Sequence, residues 1–370
     1  MNVKGRKALK KIEPYKPGKP IDEVKRELQL EDVVKLASNE NPMAPSPKAI
    51  EAISREAGNV NRYPDGGCFY LRQALSKKLG VQKNNIVFGN GSDEIIIMAL
   101  RAFSNSGDEV IVSEPTFAIY RIASMVEETV IRTIPRKKDY EYDLDAILNA
   151  VTSKTRIIFI ANPDNPTGVY VKENDLNRFI EKVPENVLIF IDEAYYEFAR
   201  GSGYPETLKL IECKDKNVII ARTFSKAYGL AGLRIGYAVA REDIAGVLNK
   251  VREPFNVNSL AQAAARAALE DQGYVDGAVD LVKEEKKRLY EALDSCGVKY
   301  IPSLTNFVLI NTNRDSKAVF EYLLKKGVIV RDMSAWGIND AIRVSLGLKE
   351  ENDKFIRAFS KALQEIPENQ

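Results

Sequence analysis

The chain has 370 residues, with 54 lysines and arginines against 52 aspartates and glutamates, and 45% of it is apolar. That length exceeds one ordinary core, so about two domains are expected, and the balanced charge implies no polyanionic partner such as nucleic acid. Histidine is absent, which excludes a Ser-His-Asp triad, a Cys–His pair and any His-ligated metal, and leaves proton transfer to Lys, Tyr, Asp, Glu or a cofactor.

The start is basic, with Lys4, Arg6, Lys7, Lys10 and Lys11, and reads as a solvated tail. No apolar leader core and no run of 18 apolar residues occurs, so neither secretion nor membrane spanning is expected. Cys68, Cys213 and Cys296 are few, odd in number and far apart, which points to a reducing cytoplasm rather than a disulfide framework.

Residues 1–44 are rich in Pro and Lys, with a short helix expected at Ile21–Leu28, and read as an arm lying over something else. Asn39-Glu40-Asn41-Pro42 and Pro45-Ser46-Pro47 are turn signals; Pro47 at a first helical position starts a helix to about Arg55. Tyr63-Pro64-Asp65-Gly66-Gly67 is another turn, before a helix Tyr70–Leu79. From residue 86 onward, short apolar runs alternate with helical stretches. The expected strands are Ile86–Gly89, Glu109–Ser113, Thr129–Ile134, Arg156–Ala161, Val187–Asp192, Val218–Thr223 and Ile235–Ala240. Between them fall helices Asp93–Phe103, Phe117–Met125, Leu144–Ala150 and Glu173–Lys182. This alternation predicts an α/β fold with a doubly wound, mostly parallel sheet, whose ligands bind at the carboxyl ends of the strands. Asn258 to about Leu293 reads as almost unbroken helix, interrupted near Gly273 and Gly277, leading into a smaller α/β domain. There Tyr300-Ile301, Phe307–Ile310, Val328–Val330 and Ile342–Ser345 are expected to form a small sheet, with helices Ser316–Lys325 and Asn352–Leu363. The resulting division is an arm at 1–44 that also joins the small domain, a large domain at 45–265 and a small domain at 266–370.

The segment Thr223-Phe224-Ser225-Lys226-Ala227-Tyr228-Gly229, continuing to Arg234, puts a lysine directly behind a buried strand. An unpaired buried ammonium is costly, and tying its nitrogen up as an imine removes that cost. Thr223, Ser225 and Arg234 supply two hydroxyls and a guanidinium fork, a ready anion seat. Together they suggest pyridoxal 5'-phosphate (PLP), although a solvated loop lysine fits this segment equally well. Phe88-Gly89-Asn90-Gly91-Ser92-Asp93-Glu94 joins a strand to a helix whose free N–H groups suit a phosphate. Glu94 stands where a dinucleotide fingerprint needs its third glycine, so that reading is weak, and a capped glycine turn is the alternative. Asp192 ends a buried strand, a place for a carboxylate that meets a cation, either a protonated pyridine or an ordinary lysine. Asn162-Pro163-Asp164-Asn165-Pro166 is a rigid turn able to hold an amide, and Phe117 follows another strand, where it serves either as a stacking ring or as core.

Taken together and in this order, these motifs resemble the fold-type I PLP aminotransferases over nearly the whole chain. Lys35 to Pro42, Tyr63-Pro64-Asp65-Gly66, Gly89 to Glu94 and Thr223 to Arg234 look like the histidinol-phosphate aminotransferase branch of that family. The resemblance implies that Lys226 carries the cofactor covalently, Asp192 pairs with its pyridine nitrogen, and Asn165 and Tyr195 bond its phenolic oxygen. By the same resemblance Phe117 and Ala194 cover the two ring faces, and Ser92, Asp93, Thr223, Ser225 and Arg234 hold the phosphate. Tyr63 is implied to reach that phosphate from the partner subunit of a homodimer. Arg343 matches the family's carboxylate-binding arginine, Arg331 a second arginine for a substrate phosphate, and Tyr15 an arm tyrosine that closes the neighbouring site. Phe117, where tyrosine is also common, and Met43-Ala44, in place of the usual Leu-Gly, depart from the pattern next to the substrate. The implied reaction exchanges an amino group between L-histidinol phosphate and 2-oxoglutarate. An aromatic amino-acid transaminase, a PLP lyase or decarboxylase, and a non-catalytic PLP-binding regulator are the competing classes; the short arm leaves no room for a regulator's DNA-binding domain.

Overall fold

The computed structural model describes residues 4–14, 18–201, 203–213 and 215–369. After the arm helix Ile21–Leu28 and a two-residue strand β1 (Val34–Lys35), the chain builds β2 (Ile86–Gly89), β3 (Glu109–Glu114), β4 (Val130–Pro135), β5 (Thr155–Ala161), β6 (Leu188–Asp192), β7 (Asn217–Thr223) and β8 (Gly236–Ala240). The last seven form one sheet in the order β2-β8-β7-β6-β5-β3-β4. Every neighbouring pair is parallel except those made by β8, which runs antiparallel to both β2 and β7.

The central strands are continuous apolar runs because both faces are covered. Along β6, Leu188 and Phe190 enter the core on one face, while Ile189 and Ile191 enter the core on the other. Truncating a side chain such as the fully buried Phe190 to alanine would remove about 3–5 kcal/mol. Helices Ser92–Phe103, Ala118–Val126 and Glu242–Val251 lie against the first face, and Glu173–Lys182 against the second. The helix Glu242–Val251 was not among the elements read from the sequence.

The expected long helix from Asn258 divides elsewhere than its glycines suggested. Ser259–Leu269 and Gln272–Ser295 meet at Glu270-Asp271, and Gly273 and Gly277 both lie inside the second helix. Asp271 is the N-cap of the second helix, and two distant residues hold the break: Lys48 Nζ donates to the Glu270 carbonyl at 3.1 Å, and Ser46 Oγ donates to the Asp271 carboxylate.

Beyond it, β9 (Lys299–Ile301), β10 (Phe307–Asn311), β11 (Val328–Ile329), β12 (Arg331–Asp332) and β13 (Ala341–Ser345) complete the strands. An antiparallel sheet of order β12-β13-β10-β9 carries helices Ser316–Lys325 and Lys349–Glu365 over a separate core. The apolar run at Val328 does not join that sheet: β11 pairs in parallel with β1, so the arm is fastened to the smaller body. None of the described helices is long and apolar enough to cross a membrane.

One edge of the large sheet collects the chemistry. β2, β3, β5, β6 and β7 all end there, and because β8 is antiparallel, the residues that precede it arrive at the same edge.

Candidate active site

A pocket of about 320 Å³ opens between that edge and the small sheet. It is lined by Ser92, Asp93, Phe117, Asn165, Asp192, Ala194, Tyr195, Thr223, Ser225, Lys226, Arg234, Arg331 and Arg343. Twelve of these are the side chains named from the sequence, besides Ala194. Two of the expected residues fall elsewhere. Tyr63 is 83% exposed and stacks on Phe255 at 4.8 Å, outside the pocket of its own chain, and Tyr15 lies outside the described residues.

At the floor, β6 delivers Asp192, almost wholly buried. Its carboxylate accepts from the Tyr120 hydroxyl at 2.7 Å and from the Ala194 amide at 3.1 Å, and no lysine or arginine pairs with it among the described residues. Burial pushes its carboxyl up to about 6, against the downward pull of the Tyr120 hydrogen bond. A buried carboxylate aimed into a cavity with no cation beside it suits a ligand that brings one.

At one side, a turn and a helix start make an anion cup. Gly91 has φ +82°, and a Cβ there would sit 2.5 Å from Arg234 Nη2, so only glycine lets the guanidinium approach the helix that begins at Ser92. Gly236 likewise brings β8 against the Ser92 amide, 2.7 Å from where a Cβ would stand. Arg234 itself adopts a left-handed backbone, φ 56°, which costs about 1–2 kcal/mol for a side chain of this kind. It meets Asp93 at 3.2 Å. Thr223 Oγ1 donates to Ser225 Oγ at 3.0 Å and accepts from the Ser225 amide at 3.1 Å, which fixes both hydroxyls behind β7. Helix N-terminus, hydroxyls and arginine together suit an anion such as a phosphate.

Lys226 emerges next to that cup. Its Nζ is 3.4 Å from the Ser38 carbonyl of the arm, and burial, reinforced by the nearby Arg343 guanidinium, lowers its ammonium to about 8. A lysine so tuned has a usable neutral fraction at neutral pH. The donor set therefore fits PLP: a carboxylate for the pyridine nitrogen, an anion cup for the phosphate and a lysine of lowered basicity between them.

At the far side stand the arginines. β12 and β13 place Arg331 directly opposite Arg343 in antiparallel register. Arg343 donates to Asn165 Oδ1 and, at 2.8 Å, to the Ala37 carbonyl. That commitment of the Asn165 oxygen leaves the amide NH₂ to serve an oxygen acceptor. Tyr195 accepts from Asn39 Nδ2 at 2.9 Å, and the Asn39 oxygen takes the Ser345 hydroxyl at 3.0 Å.

Three contributors escaped the sequence reading. Tyr120 looked like one more apolar position of a helix; its hydroxyl, which requires a partner when buried, was the available signal. Asn39 entered as a turn former and as part of the Lys35 to Pro42 motif, with no role of its own, yet it is 2% exposed and joins the arm to Tyr195. Trp336, whose Nε1 donates to the Thr116 carbonyl at 2.9 Å beside Phe117, gave no signal beyond being the single tryptophan.

A family model described as aminotransferase class I and II matches residues 31–359. The chain is 46% identical over 360 residues to the histidinol-phosphate aminotransferase of Moorella thermoacetica, covering 97% of this chain and 93% of that protein. It is also 46% identical to histidinol-phosphate aminotransferase 2 of Carboxydothermus hydrogenoformans, over 97% and 99% of the two chains. Among solved structures it is similar to the histidinol-phosphate aminotransferase of Sinorhizobium meliloti in complex with pyridoxal-5'-phosphate, at 28% identity, TM-score 0.90 and 98% coverage of both chains. With a matched model spanning most of its length and relatives this close, the chain belongs to the class I and II aminotransferases.

Proposed function

We propose that this protein is a PLP-dependent aminotransferase that interconverts L-histidinol phosphate and 2-oxoglutarate with imidazole acetol phosphate and L-glutamate, in histidine biosynthesis. The observation that carries the substrate reading is the cross-strand pair Arg331 and Arg343 at the mouth of the Lys226 pocket. Like charges directly opposite each other on neighbouring strands are destabilising, so the pair suits substrates that bring anions. One half-reaction presents a phosphate ester and the other a dicarboxylate; the same two guanidinium forks serve both.

Bound in this pocket, PLP supplies an electron sink for the charge left when the amino donor loses its Cα proton. The residues do the rest. Lys226, neutral in a useful fraction because burial and Arg343 disfavour its charge, would take that proton from Cα and pass it to the cofactor's C4' carbon. Asp192, held by Tyr120, keeps the pyridine nitrogen protonated. Asn165 and Tyr195 orient the ring through its phenolic oxygen, Phe117 and Ala194 confine it, and Ser92, Asp93, Thr223, Ser225 and Arg234 anchor its phosphate. Residues 45–265 make up the cofactor-binding body, and 266–370 with the arm 1–44 make up the smaller one that brings the arginines.

The working unit is a homodimer in the cytoplasm. Tyr63, Phe69, Tyr70 and Phe255 are large aromatic side chains left 46% or more exposed on one flank, a surface that suits a second copy of the chain. From that flank Tyr63 reaches the phosphate of the neighbouring site.

Absorbance titration tests the reading. Histidinol phosphate should convert the bound cofactor to its amine form at far lower concentration than L-phenylalanine does. Arg331→Ala should weaken handling of the ester by about 10- to 150-fold, the range for one charge-assisted contact. Conversion by phenylalanine at the lower concentration, unaffected by Arg331→Ala, would instead indicate an aromatic transaminase.

A further inference from the structure

We propose that Trp336 is a positioning residue for substrate specificity: its indole face holds the Arg331 guanidinium, and its N–H ties that arginine's strand to the loop bearing Phe117. The inference rests on the phosphate-ester reading above and deepens it.

Trp336 closes a single helical turn, Ser334–Trp336, directly after β12. The Arg331 guanidinium lies over its ring, 5.0 Å from the centroid. Its Nε1 donates to the carbonyl of Thr116 at 2.9 Å, across the boundary between the small sheet and the large one. Thr116 precedes Phe117 and is itself pinned, because its hydroxyl donates to the buried Asp164 at 2.5 Å. Asp164 also takes the Thr167 hydroxyl at 2.8 Å and the Arg136 guanidinium at 2.8 Å, and it precedes Asn165, which receives Arg343.

These contacts close a ring. Arg331 rests on Trp336, Trp336 on Thr116, Thr116 on Asp164; the next residue, Asn165, returns through Arg343, and β12–β13 register brings Arg343 back opposite Arg331. The arginines that meet the substrate and the loops that meet the ring are thereby fixed in one frame. A guanidinium on a long side chain loses rotamer freedom on binding an anion. Stacking on a rigid indole removes part of that loss beforehand, and tryptophan is the best of the aromatic faces for this purpose. The buried side chains Leu309, Met333, Ile338 and Ala341 pack with Trp336 in a hydrophobic cluster of the small sheet.

The test compares donors on the cofactor-loaded enzyme. The ratio of kcat/KM for histidinol phosphate to that for L-phenylalanine should fall in the order wild type, Trp336→Phe, Trp336→Leu. The total decline should be about 2- to 30-fold, the range for a partly desolvated cation–π contact, and should be carried by KM for the ester. A merely structural role would lower both donors together and leave the ratio intact, which would overturn the proposal. If Trp336→Leu does not fold, Trp336→Phe alone decides: an unchanged ratio overturns the inference. Because Trp336 is the only tryptophan, the wild-type emission gives a second readout. Inorganic phosphate and histidinol phosphate should each shift it, and Arg331→Ala should abolish the shift; a shift that survives Arg331→Ala would overturn the contact. Failure of the underlying reading looks different. There the wild-type enzyme itself would show no preference for the ester, and Arg331→Ala would change nothing.

Discussion

Replacing Tyr120 by phenylalanine isolates one hydrogen bond at the pocket floor. The ring stays packed, stacked on Phe159 at 4.9 Å and edge-on to Phe117 at 5.7 Å, and only the hydroxyl that donates to Asp192 at 2.7 Å is lost. A hydrogen bond to a charged group contributes about 1.5–3 kcal/mol, or about 1–2 pKa units. Asp192, already raised by burial to about 6, would therefore move to about 7–8 in the variant without cofactor. At pH 7 the wild-type carboxyl is about nine-tenths ionised, and the variant's about one-tenth to one-half. Because the cofactor's pyridinium needs the ionised form, PLP affinity at pH 7 should weaken by about 2- to 10-fold. At pH 6 the gap should widen to about 5- to 50-fold, and at pH 9 it should nearly close. Equilibrium titration of cofactor-free protein with PLP, followed by absorbance from pH 6 to 9, measures this directly. Contributions from Lys226 and from the cofactor's own titration are common to both proteins and cancel in the ratio, and no histidine is present to add another. A ratio of dissociation constants that stays constant across that pH range would refute the coupling. The sign for folding follows from the same shift. Folded apo-protein holds an extra proton on Asp192 between pH 3.8 and about 6, so this group's contribution to stability falls as pH rises through that window.

Other outcomes follow from the same geometry. Lys226→Ala should end multiple-turnover transamination. In the cofactor-free wild type, the stopped-flow rate at which Lys226 takes up PLP should climb with pH through about 8, as the ammonium lowered to that value deprotonates, and then level off. Gly91→Ala sets a Cβ 2.5 Å from Arg234 Nη2 at a φ of +82°, so PLP affinity should drop by about 10-fold or more in the same titration. Mixing inactive Lys226→Ala subunits with impaired Tyr63→Ala subunits should restore activity, because one site of each mixed dimer has both groups; no recovery after subunit exchange would count against shared sites.

Much of the site was legible because the signals are local. A strand buried on both faces must be a run of apolar residues, so β5, β6 and β7 announced themselves, and any polar residue at their ends stood out against that background. Asp192, Thr223, Ser225 and Lys226 were found in this way. Glycine at 91 was equally visible, since only a residue without Cβ suits the turn ahead of the helix.

What the sequence could not supply depends on distance in the chain. Residues 331 and 343 come to stand opposite each other only through the register of β12 and β13. The break at Glu270-Asp271 is held by contacts from Ser46 and Lys48, more than two hundred residues away, which no local pattern reveals. The run at Val328 had the pattern of an inner strand, but pairing with the arm claimed it first. Tyr120, Asn39 and Trp336 each carry a polar atom whose partner lies on another element, so their type alone could not distinguish a filler of core or turn from a part of the site. Composition and periodicity determined which residues had to be buried and which chemistry stood at the strand ends; tertiary packing decided which polar groups met, because hydrogen bonds act over about 3 Å and depend on neighbours in space.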